Sequence, residues 1–155
     1  MKGNRSRFIT ISAVCFLYGV LAAVPAVAQK GGTKVNGGGI AAFVDPRFGG
    51  GITSFSVGAT VNGDGSANGH FECVIAGLLS WHITATGGTV NGDGSVTITG
   101  PSIVHFAGGG TFELDAFITF YAGGAGVGMF CAGPPTFPDT DCDVEVVQSG
   151  MIFIH

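Results

Sequence analysis

Apolar and polar residues alternate with a period of two along much of the chain. The clearest run is TFELDAFITFYA. There Phe112, Leu114, Ala116, Ile118 and Phe120 fall on one side, and Thr111, Glu113, Asp115, Phe117, Thr119 and Tyr121 on the other. Side chains of a strand point alternately to its two faces, so this pattern predicts a strand with one buried face. Phe55, Val57, Ala59 and Val61 repeat it, as do Phe71, Cys73 and Ile75, then Trp81, Ile83 and Ala85, then Val96 and Ile98. In the closing DVEVVQSGMIFIH the same period puts Val144, Val146, Ile152 and Ile154 inward, with Gly150 marking a bulge. No stretch beyond the N-terminal segment pairs a 3.6-residue apolar period with caps.

Between these runs stand glycine clusters, which suit turns and disfavour helices. The expectation is a single antiparallel β-sandwich or small β-barrel of about seven to nine strands. The heptapeptide TVNGDGS occurs at Thr60–Ser66 and again at Thr89–Ser95. Asn-Gly and Asp-Gly take up tight hairpin turns readily, so both copies read as turns between strands. A calcium-loop reading rests on the spacing of Asn62, Asp64 and Ser66. It fails further along, where the glycine and the bidentate glutamate of such a loop are replaced by Ala67 and Cys73.

The N-terminus changes the picture. Lys2, Arg5 and Arg7 precede an apolar stretch from Phe8 to Val24, and Ala26-Val27-Ala28 has the small-x-small form of a cleavage site. This predicts a secretory signal peptide over 1–28 in preference to a retained anchor. A flexible glycine-rich lead is expected over 29–39, and one all-β domain over 40–155. Cleavage would leave 127 of the 155 residues, with Lys30, Lys34 and Arg47 against ten carboxylates, a formal charge of 3 − 10 = −7. So acidic a chain cannot neutralise many phosphates, which argues against a nucleic-acid partner. The single Trp and two Tyr are too few for the aromatic girdles of an outer-membrane barrel, so the mature domain is read as not membrane-embedded. The expected location is periplasmic or extracellular.

Candidate chemistry is sparse. Cys131 and Cys142 bracket the proline-rich GPPTFPDTD and are expected to form a disulfide, which export permits. Cys73 is then left over, as a buried thiol or an intermolecular partner. In FPDTDCDVE, Asp139, Asp141, Asp143 and Glu145 alternate, so an extended backbone sets four carboxylates on one side. They are the candidate metal ligands, with Ca²⁺ the cation, and the plainer reading is a solvated acidic rim. Glu113 and Asp115 share a strand face and suggest a carbohydrate-active enzyme, but solvent-facing carboxylates are the simpler meaning. His70, His82, His105 and His155 show no metal-ligand spacing, and no catalytic residue or other cofactor is assigned.

The segments NGHFECVIAG and TVNGDGSVTITG resemble small exported bacterial β-domains of unknown function. The likeness is carried by Gly69-His70-Phe71-Glu72 and by the strand Ser95–Gly100. The resemblance implies an exported β-fold and supplies no catalytic residues. Those relatives carry a D-x-G-rich segment before the last strand, where this chain has its cysteine-bracketed insert from Gly133 to Asp143.

The expected function is therefore non-enzymatic: an exported domain acting by binding, or as part of an envelope or extracellular structure. Phe117, Thr119 and Tyr121 form a candidate outward binding face. A barrel holding an apolar ligand is the alternative, suggested by the many phenylalanines. Glycans, proteins and apolar small molecules are the partners considered.

Overall fold

The structure is a computed structural model that describes residues 31–45, 51–134 and 142–155. Every regular element in these residues is a β-strand. In chain order they are β1 (Thr33–Phe43), β2 (Ile52–Val61), β3 (Ala67–Ile75), β4 (Leu79–Thr84), β5 (Gly87–Val90), β6 (Val96–Phe106), β7 (Thr111–Tyr121), β8 (Gly123–Gly124), β9 (Met129–Gly133) and β10 (Asp143–Ile154).

The strands close into an antiparallel barrel with eight positions around the ring, in the order β1-β2-β3-β4-β6-β7-β9-β10 and back to β1. The short β5 continues the position of β4 along β6, and β8 continues that of β9 along β10. The eight ring positions fall within the expected seven to nine strands, β5 and β8 are two short additions, and the barrel alternative holds in place of the sandwich.

Closure depends on the segment expected to be a loose lead. From Thr33 onward it is β1, which pairs with β2 on one side and β10 on the other, and Val35 is fully buried. Its glycines are what bring the seam together. Gly39 (φ +153°) faces Gly150 (φ +93°), and a Cβ on either would collide with the carbonyl oxygen opposite, that of Ser149 or Gly38.

Inside the ring the predicted alternation is realised along β2, β3, β4, β6 and the second half of β7. Phe112, expected on the buried side, is exposed, and Phe117, expected on the other, is buried as well. Phe55, Val57, Ala59, Val61, Phe71, Cys73, Ile83, Val96, Ile98, Ala116, Ile118 and Phe120 are all buried. Phe71 packs edge-on against Phe120 and Phe130, with ring centroids 5.6 and 5.3 Å away, and Phe55 lies 5.0 Å from Phe130. Each fully buried ring of this size stabilises the fold by roughly 1.5–3 kcal/mol relative to exposure. Outward positions on β2, β3 and β4 are mostly polar: Ser54, Ser56, Asn68, His70, Glu72, His82 and Thr84.

Strand β10 departs from the expected phase. Its pairing with β1 runs regularly from Val35↔Ile154 to Ile40↔Ser149 and then jumps to Ala41↔Val147, leaving Gln148 as the extra residue of a bulge. One inserted residue exchanges the two faces of a strand. Ile152 points inward before the bulge, and Val147 and Glu145 after it, so the inward assignment of Val144 and Val146 is corrected. The bulge lies at Gln148, not at Gly150.

Both copies of TVNGDGS sit at one end of the barrel and fold alike. Asn62 N–H donates to Ser66 O (2.8 Å) and Gly65 N–H to Asn62 O (3.0 Å), and the second copy repeats this with Asn91, Ser95 and Gly94 at 2.9 and 3.0 Å. Gly65 (φ +83°) and Gly94 (φ +85°) take the left-handed conformation at the close of each three-residue hairpin loop. Asp64 Oδ1 accepts from the Ser66 amide and hydroxyl at 2.9 and 2.6 Å, and Asp93 Oδ1 does the same with Ser95 at 3.0 and 2.7 Å. These bonds hold both carboxyls below the usual carboxylate range. The repeat is one hairpin turn used twice.

Candidate functional site

The two ends of the barrel differ. At the turn end Val35, Val61, Val96, Ile98, Phe120 and Ile152 fill the interior. At the other end, where β3 turns into β4 and β6 into β7, the interior opens as a pocket of about 230 Å³. Phe43, Ile75, Leu79, Trp81, Val104, Phe106, Leu114, Phe130 and Ala132 make its apolar wall, and Cys73, Asp143 and Glu145 supply polar groups.

The polar groups arrive through strand register. Glu145 pairs across β10 with Phe43 of β1 on one side and Phe130 of β9 on the other, so it stands in an inward row between two aromatic residues. Thr53 of β2 pairs with Ala41 of β1 and is fully buried. Its Oγ1–H donates to Glu145 Oε2, and Thr53 Oγ1 also lies 3.5 Å from Ala41 O. Asp143 lies two residues before Glu145 on the inward side of β10.

Glu145 is only 3% exposed. Burial pushes its carboxyl up to about 7, the Thr53 hydrogen bond works against that rise, and the negative charge of Asp143 adds to it. Cys73 is also buried and unpaired in any disulfide. Burial first, then the charges of Glu145 and Glu72, push its thiol up to about 12, so it stays protonated and a poor nucleophile at neutral pH. The indole N–H of Trp81 is buried in the same wall without a hydrogen-bond partner.

The candidates read from sequence are separated by the fold. Asp139 and Asp141 lie outside the described residues. Asp143 and Glu145 face the pocket, and Glu145 belongs to the interior instead of a solvated rim. Among the described residues no group of three or more His, Cys, Asp or Glu is placed to hold a metal ion. Cys131 and Cys142 stand at disulfide distance, with Cα atoms 5.5 Å apart, and tie the middle of β9 to the residue that precedes β10.

Phe117, Thr119 and Tyr121 share the outer face of β7. Phe117 is just 8% exposed, packed beside Gly133, while Thr119 and Tyr121 are half-buried and Thr119 bonds to Thr97 at 2.8 Å. Glu113 and Asp115 are exposed on the outer wall in a shallow depression with His82. His82 in turn stacks on His70, with centroids 5.7 Å apart. Sequence reasoning placed Trp81 and Cys73 on inward faces but missed the pocket they share with Glu145. No family model matches the chain, and neither does any curated protein or solved structure.

Proposed function

We propose that this chain is an exported, non-enzymatic binding protein that holds a small, mainly apolar molecule in the open mouth of its barrel. The observation that carries this reading is the pocket itself. An eight-stranded barrel has an interior just wide enough to be filled by side chains or to hold one small ligand, and this one is filled at one end and open at the other. Its volume of about 230 Å³ falls below the roughly 300–1,000 Å³ of drug-sized sites, which restricts the occupant to a smaller molecule.

The rim favours an apolar visitor. Ile52, Leu78, Phe106 and Phe112 are exposed around the mouth, and Phe106 and Phe112 meet edge to face at 5.7 Å. Export is supported by the basic and apolar N-terminal segment and by the cysteine pair at disulfide distance. An apolar interior with largely polar outward positions is the reverse of an outer-membrane barrel, which supports a domain that is not membrane-embedded. A non-enzymatic role is supported by the protonated Cys73 and by the position of Glu113 and Asp115 outside the pocket.

Trp81 is the sole tryptophan of the chain and lines the pocket, so its fluorescence reports occupancy. Titration with 1-octanol should change its emission saturably, and Ala132→Leu, which extends a side chain into the pocket, should abolish the change. A wild-type protein with neither a saturable fluorescence change nor calorimetric heat would refute this function.

A further inference from the structure

We infer that the molecule held in the mouth is an apolar amine, whose ammonium group is received by the Glu145 carboxylate at the pocket's inner end. This rests on the binding function proposed above and specifies the chemistry of the occupant.

Among the described residues, nothing of opposite sign stands beside the buried Glu145 carboxylate. Among the described residues its hydrogen bond comes from Thr53, and the one Lys or Arg, Lys34, is exposed at the far end of the barrel, where it pairs with His155. A carboxylate taken out of water without a cation is costly, and a basic residue in the neighbouring strands would have removed that cost. The strands packed around it offer none. Phe43 and Ala41 come from β1, Thr53 from β2, Cys73 from β3 and Phe130 from β9, and the charge of Asp143, two residues away on its own strand, raises the Glu145 carboxyl further.

The pocket is thus apolar along its wall and negative at its inner end. A neutral apolar molecule would fill the wall and leave the carboxylate unanswered, and an anion would be repelled. A primary ammonium on a short alkyl or aryl body answers both. Trp81 and the phenylalanines add ring faces to which a cation is attracted. The net negative charge of the chain works in the same direction at long range.

Three probes of equal chain length isolate the charge: n-octylamine, 1-octanol and octanoate, titrated against wild type and Glu145→Gln with Trp81 emission and calorimetry as readouts. At pH 8 octylammonium should bind at least about tenfold tighter than octanol, the span expected of one charge-assisted contact. Octanoate should bind weakest. Glu145→Gln should erase the amine's advantage while leaving octanol affinity within about twofold, which also shows that the variant keeps its fold. The advantage should shrink from pH 8 to pH 5 as the carboxyl takes up its proton, while the Cys73 thiol stays neutral throughout. Octanol binding with no preference for the amine, or a preference that survives Glu145→Gln, would overturn the cation assignment and leave the binding function standing. Failure of all three probes would remove both.

Discussion

The two ends of this barrel are built from the same eight strand positions, yet one is solid and the other hollow. At the turn end β-branched residues from opposite walls meet: Val35, Val61, Val96, Ile98 and Ile152 leave no room. At the mouth the corresponding positions hold a glutamate, an aspartate, a thiol and an indole, and the apolar residues stand back around a space. Packing of the first kind stabilises the fold, whereas the second kind forgoes contacts and buries a carboxylate. A protein tolerates a poorly packed, charged region where that region serves something other than stability.

The comparison can be tested from its strongest contrast downward. Phe120→Ala empties part of the solid interior and should cost about 3–5 kcal/mol in denaturant unfolding, against about 1 kcal/mol for Leu79→Ala at the hollow end. Equal losses would mean that the mouth is packed as tightly as the base.

The next effect belongs to Glu145. Its carboxyl sits at about 7 when folded against an ordinary 4.5, so the native state holds a proton that the unfolded state releases. Its contribution to stability is therefore fully present below pH 4.5, declines as pH rises, and is gone above about 7. The total is on the order of 3 kcal/mol. Unfolding free energies measured between pH 4.5 and 8 should show that decline in wild type and lose it in Glu145→Gln, which should be the more stable protein at pH 8. An identical pH profile for the two proteins would place the carboxylate in water.

The smallest contrast lies in the turns. Gly65→Ala and Gly94→Ala force a Cβ into the left-handed conformation and should each cost about 1–2 kcal/mol in thermal melts. Because the two loops share their hydrogen bonds, the two costs should agree closely. Neither change should alter octanol binding at the opposite end.

Much of the solid end could be read from the chain. Phe55 to Val61 alternates without interruption, and Phe71 to Cys73 and Ala116 to Phe120 keep the same period with Phe117 as the one apolar exception, so the period of two shows which side is inside. The hollow end was obscured for two physical reasons. Gln148 is an extra residue only relative to β1, so the exchange of faces that turns Glu145 inward depends on a pairing partner more than one hundred positions away, at Ala41. Ring closure was hidden as well, since β1 is mostly glycine and small residues along its middle and shows no alternation of its own. Without that closure Asp143 and Glu145 look like neighbours on an open acidic strand. With it, they line a cavity.

Closure has a further consequence for anyone handling the molecule. Lys34 and His155 exchange backbone hydrogen bonds at 2.7 and 3.0 Å, so the start of β1 and the last residue lie side by side at the solid end, facing away from the pocket. A fluorophore, affinity tag or surface tether attached after His155 would leave the mouth unobstructed. A short peptide joining these two points would allow the chain to be reopened at either TVNGDGS loop, giving circular permutants with the same ring and the same pocket.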